Sequence, residues 1–188
     1  MTAVDVAADH DLIRRSVSDP EIFGAIFDRH AATIHRYLAR RIGRTLADDL
    51  TAETFLIAFR GRDKYDLSHA DSRPWLYGIA ANLLRGHQRA EIRQYRALAR
   101  TGVDPVFSFD DSDDRMTAAH QVRALAGVLA DLPPGERDVL TLVSQAQLSY
   151  AEVARALNIP VGTVRSRLHS ARKRIRNALP SLEGFHDE

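Results

Sequence analysis

SYAEVARALNIPVGTVRSRLHSARKRIRNAL, residues 149–179, is the stretch on which the fold turns. Ser149 and Glu152 stand at capping-box spacing ahead of a helix over 150–157, whose buried face is Val153, Ala154 and Leu157. Pro160 cannot continue that helix, so Asn158-Ile159-Pro160 reads as a short turn. In the next helix Val161, Val164, Leu168, Ala171, Ile175 and Leu179 fall on one stripe. The opposite face carries Gly162, Thr163, Ser166, Ser170 and Lys173, flanked by Arg165, His169 and Arg176 on one side and Arg167 and Arg174 on the other. Six basic side chains and no acidic one lie between Val161 and Ala178. This is a helix–turn–helix whose second helix suits a DNA major groove. Small polar residues at its start let it approach base edges, and arginines reach bases or phosphates. The plainer alternative is a solvated basic face on a bundle helix. The cap, the proline turn and the acid-free helix together weigh against it.

Working outward, apolar residues keep helical spacing nearly everywhere. Glu136–Ser144 is a helix, Leu132-Pro133-Pro134-Gly135 a break, and Met116–Ala130 another helix. Residues 101–114, TGVDPVFSFDDSDD, hold five aspartates, Gly102 and Pro105 without apolar periodicity, and read as a linker. At ~3.3–3.6 Å per residue such a segment reaches roughly 46–50 Å, ample to separate two domains. Before it, Ser18-Asp19-Pro20-Glu21 reads as a capped helix start. The stripe Phe23, Ile26, Phe27, Ile34, Tyr37, Leu38, Ile42 then marks a long helix ended by Gly43. A second helix runs over about 46–59 to Gly61, a polar loop over 60–72, and a third helix from Arg73-Pro74-Trp75 to about Arg89. With no repeat and no convincing strand, the chain is expected to be all-α. Two small helical domains, 1–100 and 117–188, are joined by a flexible acidic linker over 101–116.

Composition bounds the chemistry. The 188 residues are 45% hydrophobic and 27% charged, which is the balance of a folded chain. Without cysteine there is no disulfide, thiolate metal site, cysteine nucleophile or thiol switch. The first residues lack a signal-peptide layout, and no apolar run approaches the ~20 residues of a membrane span, so a cytoplasmic protein without membrane insertion is expected. A net charge of +1 argues against a nucleic-acid partner only if charge is evenly spread. It is not. Residues 1–101 carry 16 basic and 13 acidic side chains, residues 102–136 two and seven, and residues 137–188 eight and five. Two basic lobes thus flank an acidic strand. No phosphate-cradling glycine loop, nucleophile–base pair or carboxylate–histidine cluster is legible, so neither an enzyme nor a cofactor is expected.

The residues also match a family. PVGTVRSRLHSARKRI (160–175) closely resembles region 4.2 of the extracytoplasmic-function (ECF) sigma factors of the sigma-70 family, and LPPGERDVLTLVSQAQLSYAEVARALNI (132–159) resembles the sequence of regions 4.1 and 4.2 that precedes it. ADDLTAETFLIAF (47–59) is similar to region 2.2, and RPWLYGIAANLLRGHQR (73–89) to regions 2.3 and 2.4. The likeness covers about residues 20–95 and 117–179, with both motif sets in order. An independent helix–turn–helix regulator would share only the second set. The resemblance implies a bacterial RNA polymerase sigma factor that binds core polymerase through its beta and beta-prime subunits, recognises the −35 and −10 promoter elements, helps open the DNA and is not a catalyst. Members are often held by an anti-sigma factor; the sequence leaves open whether one exists here.

For the −35 element the resemblance places base reading on Arg165, Ser166 and His169, and phosphate contact on Thr163, Arg167, Arg172 and Lys173. Ser170 departs from relatives that often carry a basic residue there, so no consensus transfers. For the −10 element, Arg62, Lys64, Tyr65, Asp66, Ser68 and His69 supply the polar edges, rings and guanidinium that capture an unstacked base. Asn82, Arg85 and Arg89 form a strip suited to phosphates. Trp75 invites the reading of a melting wedge, but after Arg73-Pro74 and beside Leu76 and Ile79 it reads as mostly core. Arg93, Arg96 and Arg100 either continue the DNA track or are simply solvated. Asp48, Asp49 and Glu53 share one helix, where like charges four apart cost a few tenths of a kcal/mol. They form either a solvated acidic face or, by resemblance, the dock for the beta-prime clamp helices. The linker, with Phe107 and Phe109, is either a plain tether or a mimic of nucleic acid in the polymerase interior.

Overall fold

Gly43 sets the geometry of the first lobe. Its φ of 85° is open to glycine and strained for other residues, and it lets α2 (Gly24–Ile42) turn directly into α3 (Arg44–Arg60). The two run antiparallel: Phe27 meets Phe55 edge-on at 4.9 Å, and His35 lies 2.9 Å from Asp48. A computed structural model of the chain describes residues 7–102 and 112–178, with side chains at 7–102 and 122–178. Those residues contain α1 (Asp9–Ser16), α4 (Arg73–Gly86), α5 (Gln88–Thr101), α6 (Ser112–Asp131), α7 (Pro134–Ser144), α8 (Tyr150–Leu157) and α9 (Val161–Ala178), besides α2 and α3. Short 3₁₀ turns lie at Pro20–Phe23 and Arg62–Lys64, and no strand occurs among the described residues. The fold is all-α, as expected.

Four local readings change. The capping box at Ser18 does not form, because the Ser18 N–H that Glu21 would accept from already donates to the Arg15 carbonyl at the end of α1. The long helix therefore opens with a 3₁₀ turn. The third helix stops at Gly86: His87 closes it with a tight bond to the Leu84 carbonyl, 2.8 Å, and α5 starts afresh. Helix α6 begins at Ser112, inside the segment read as linker, since acidic residues are tolerated in a first turn by the helix dipole. Phe107, Phe109, Asp110 and Asp111 lie outside the described residues, as does Leu179.

Helix α1 has no counterpart in the sequence reading. Its Asp9 is buried and ties three elements together. The carboxylate accepts from Arg29 (2.5 Å) and from the Ser72 hydroxyl and N–H (2.7 and 3.0 Å), and lies 2.8 Å from His30 Nε2. Burial pushes that carboxyl up, but the bonds from His30 and Ser72 outweigh burial and hold it well below the usual carboxylate range.

The two lobes pack against each other. One apolar core runs from Ile26, Leu38 and Leu76 in the first lobe to Leu142, Val153 and Val164 in the second. Helix α4 lies so close to α8 that a Cβ on Gly78 would stand 2.5 Å from the Ala156 carbonyl oxygen. A second cluster joins Tyr95 and Leu98 of α5 to Ala126 and Leu129 of α6 and Ala171 of α9.

Beneath this contact four charges are buried. Arg41 is 1% exposed and donates to Glu91 at 2.6 Å, to Asp138 at 2.6 Å and to the Tyr37 hydroxyl. Arg137, also 1% exposed, donates to Glu91 at 2.9 Å and to the carbonyls of Leu129, Ala130 and Leu132. Two cations and two carboxylates balance, which is what makes their burial tolerable. Burial pushes the Tyr37 hydroxyl up to about 12, so it stays neutral beside Arg41.

Candidate nucleic-acid interface

The helix–turn–helix forms as its spacing dictates. Ser149 caps α8 reciprocally with Glu152: the Glu152 N–H donates to the Ser149 hydroxyl at 3.3 Å, and the Ser149 N–H to the Glu152 carboxylate at 2.7 Å. Asn158, at φ 52°, makes the left-handed turn before Pro160. Val153, Ala154 and Leu157 bury α8, and Val164, Leu168, Ala171 and Ile175 bury α9. That fixes the rotation of α9. Arg165, Ser166, His169 and Lys173 consequently face solvent, while Thr163, Arg167 and Arg172 are half-buried beside them. Arg167 lies across the start of α7, its guanidinium against Gly135, and Arg174 pairs with Glu136 at 3.1 Å. An exposed row of Arg165, Ser166 and His169 on one helical face is chemically able to read base edges.

The −10 candidates separate into holders and free groups. Arg62 is spent internally: it donates to the Ser16 and Phe59 carbonyls at 3.1 and 2.6 Å and lies 3.9 Å over the Phe59 ring. Tyr65 donates to the His69 carbonyl at 2.8 Å and stacks obliquely on Trp75 at 4.9 Å. Both residues shape the loop. Asp66 accepts from the Ser68 N–H at 3.0 Å, and the Ser68 side chain and then this N–H hold its carboxyl below the usual carboxylate range. Lys64, Asp66 and Ser68 are exposed and His69 is half-buried. Trp75 is half-buried against the core and Tyr65, close to its expected place. Asn82 and Arg85 bond to each other at 2.9 Å on the exposed face of α4, whereas Arg89 stands on α5 beyond the break at His87. Arg85 also reaches 3.9 Å from Asp138 of the second lobe.

Asp48, Asp49 and Glu53 are exposed on α3 as their spacing implies. Spacing alone missed their surroundings. His35 of α2 pairs with Asp48, and a groove of about 590 Å³ runs between α2 and α3 past Phe27, Ala31, His35 and Ala52. Phe27, which lines it, is 45% exposed, and Leu56, further along α3, is 46% exposed. Exposed apolar positions on an otherwise well-packed helix pair were the available signal. Among the described residues no group of three or more metal-ligating side chains occurs, and no helix is long and apolar enough to cross a membrane.

A two-lobed helical protein with an exposed basic recognition helix belongs to the helix–turn–helix DNA-binding class. Comparison with known proteins narrows it. The family profile for sigma-70 region 2 matches residues 26–94, and that for sigma-70 region 4 matches residues 123–175. The RNA polymerase sigma factor CarQ of Myxococcus xanthus is 32% identical over 87% of this chain and 92% of its own length. The ECF RNA polymerase sigma factor SigW of Bacillus subtilis is 28% identical over 87% of this chain and 92% of its own. Among solved structures, CnrH in complex with the cytosolic domain of CnrY superposes with a TM-score of 0.66 at 24% identity, covering 93% of this chain and 99% of that one. The sigma factor RpoE bound to the anti-sigma factor NepR, from Bartonella quintana, gives 0.61 at 18% identity, covering 86% and 98%. The chain belongs to the sigma-70 family, and within it to the ECF sigma factors, which direct RNA polymerase to promoters and so start transcription.

Proposed function

We propose that α9 reads the −35 element with Arg165, Ser166 and His169, while Thr163, Arg167, Arg172 and Lys173 hold its phosphates. The observation that carries this is the solvent-facing row on α9, fixed in rotation by the buried Val164, Leu168, Ala171 and Ile175 behind it. The −10 element falls to the exposed tip of loop 61–72 and to the Asn82–Arg85 strip, with Arg62 and Tyr65 supporting the loop rather than touching DNA. Asp48, Asp49 and Glu53, with the apolar groove beside them, receive the polymerase. The protein acts in the cytoplasm as a specificity subunit and not as an enzyme.

The closed packing is the resting state in this reading. Two elements about 25 base pairs apart span roughly 85 Å of duplex at ~3.4 Å per base pair. A compact chain of this length has a radius of gyration of only about 16 Å. The lobes must therefore separate before both elements are engaged. The structural relative RpoE, solved with the anti-sigma factor NepR, supports an anti-sigma factor as the agent that keeps such a form closed. The test is assembly with purified core polymerase on gel filtration. The native chain should co-elute, and a chain carrying Asp49→Lys and Glu53→Lys should not. Co-elution of that variant at full occupancy would remove α3 from the interface.

A further inference from the structure

Helix α1 is tied to both ends of loop 61–72. Its last residue, Ser16, is fully buried, and the Ser16 carbonyl accepts from Arg62 Nε at the start of the loop, at 3.1 Å. The last carbonyls of a helix have no partner within it, and the helix dipole favours a cation there, so Arg62 fills a place that α1 leaves open. The first residue, Asp9, accepts from the hydroxyl and the N–H of Ser72 at the end of the loop, at 2.7 and 3.0 Å. At ~1.5 Å per residue the 8 residues of α1 measure roughly 12 Å, so the helix is a strut of fixed length between the two ends.

The strut is itself anchored. Leu12 and Ile13 are fully buried in the core of the first lobe. The Asp9 carboxylate also takes Arg29 and His30 of α2, so one buried charge joins α1, α2 and the last residue of the loop. Bonds to an ionised acceptor are roughly twice as strong as neutral ones. Ser72 is fully buried and immediately precedes α4, so its position fixes where the loop enters that helix. Between the moorings the Tyr65 hydroxyl donates to the His69 carbonyl, and Lys64, Asp66 and Ser68 are left facing solvent.

We propose that Asp9 is a positioning residue for −10 recognition: it holds Ser72 while Ser16 holds Arg62, and α1 thereby sets the pose in which the loop tip meets an unstacked base. The inference rests on the assignment of loop 61–72 to the −10 element. Asp9 is buried and touches no DNA; it acts through Ser72. A loop released at either end has more conformations to lose when it captures a base, and that cost falls on the −10 step alone. Losing a mooring therefore weakens −10 discrimination and leaves −35 discrimination and polymerase assembly as they are.

The test assembles holoenzyme from core polymerase and the full chain and selects, by run-off transcription, among templates randomised at both elements. Enrichment is read separately at −10 and −35. Asp9→Asn and Arg62→Gln should each lower −10 enrichment about fivefold or more, the worth of one net hydrogen bond, with −35 enrichment within about twofold of native. Ser72→Ala, which removes one of the two donors to Asp9, should fall between. Ile42→Val, in the same core at the far end of α2, is a destabilised control whose −10 enrichment should not fall. Circular dichroism and co-elution with core polymerase establish that each variant is folded and assembled; if Asp9→Asn is not, Arg62→Gln and Ser72→Ala carry the test. Lys64→Ala combined with Ser68→Ala tests the loop assignment itself. If that tip variant loses −10 enrichment and the mooring variants keep it, the inference fails and the loop assignment stands. If the tip variant keeps it, the loop assignment fails and takes the inference with it. Equal losses at −10 and −35 in the mooring variants, or a −10 loss in Ile42→Val matching theirs, would make the role of α1 purely structural and overturn the inference.

Discussion

Arg41 and Asp138, 97 residues apart in sequence, meet at 2.6 Å in the buried contact between the lobes. Arg41 also holds Glu91, which holds Arg137, so the contact is a closed set of charges. Removing one member leaves the buried set with one uncompensated charge, and breaking a buried pair in this way costs up to about 3–5 kcal/mol. Opening the lobes exposes that charge to water. Asp138→Asn is therefore expected to shift the chain toward an open form. Small-angle scattering should show a radius of gyration above the compact value of about 16 Å. An unchanged scattering curve would mean the charges do not hold the lobes.

Gly78→Ala probes the same contact without touching charge. Its Cβ would meet the Ala156 carbonyl at 2.5 Å, a backbone atom that cannot swing away. Overpacking of this kind costs about 1–3 kcal/mol. The variant should melt lower and scatter as a larger particle, with helix content unchanged.

Much of this was legible. The helix–turn–helix, its cap and the outward row of α9 follow directly from spacing in 149–178, because an amphipathic helix has one way to bury its stripe. Lobe contact was not legible, since it rests on charged residues sitting in apolar register. Arg41 lies four positions after Tyr37, Glu91 four before Tyr95, and Asp138 four before Leu142. Each occupies a buried stripe, and each reads as a surface charge until its partner from another helix is known. Among the loop candidates, residue type could not separate Arg62 and Tyr65, which hold the loop, from Lys64 and Ser68, which face solvent. The break after Gly86, which puts Arg89 on a different helix, turns on a local 3₁₀ closure that apolar periodicity does not report.

Asp9 gives the fold an acid sensitivity. Its folded pKa lies below the ordinary 3.8, so its contribution is fully present above that value and is lost as pH falls through the folded one. Asp9→Asn should melt below the native chain at pH 7, and the gap should narrow as pH drops below 3.8. A gap constant from pH 7 to pH 2 would remove the carboxylate from that role.

On the −35 element, Arg165→Ala should cost about 1–3 kcal/mol and flatten base preference at one position. Lys173→Ala should weaken matched and mismatched sites equally and lower the salt slope by ~1. Competition binding of the holoenzyme on single-base variants at several salt concentrations separates the two. Equal loss on matched and mismatched sites for Arg165→Ala would contradict its assignment.

The most direct measurement is run-off transcription with purified core polymerase on a pool of templates randomised at the −35 and −10 elements. With this protein added, discrete run-off RNAs should appear from templates sharing one pair of elements; core polymerase alone and the protein alone should give none. No enrichment of any sequence at either element, with the protein bound to core polymerase, would contradict the account.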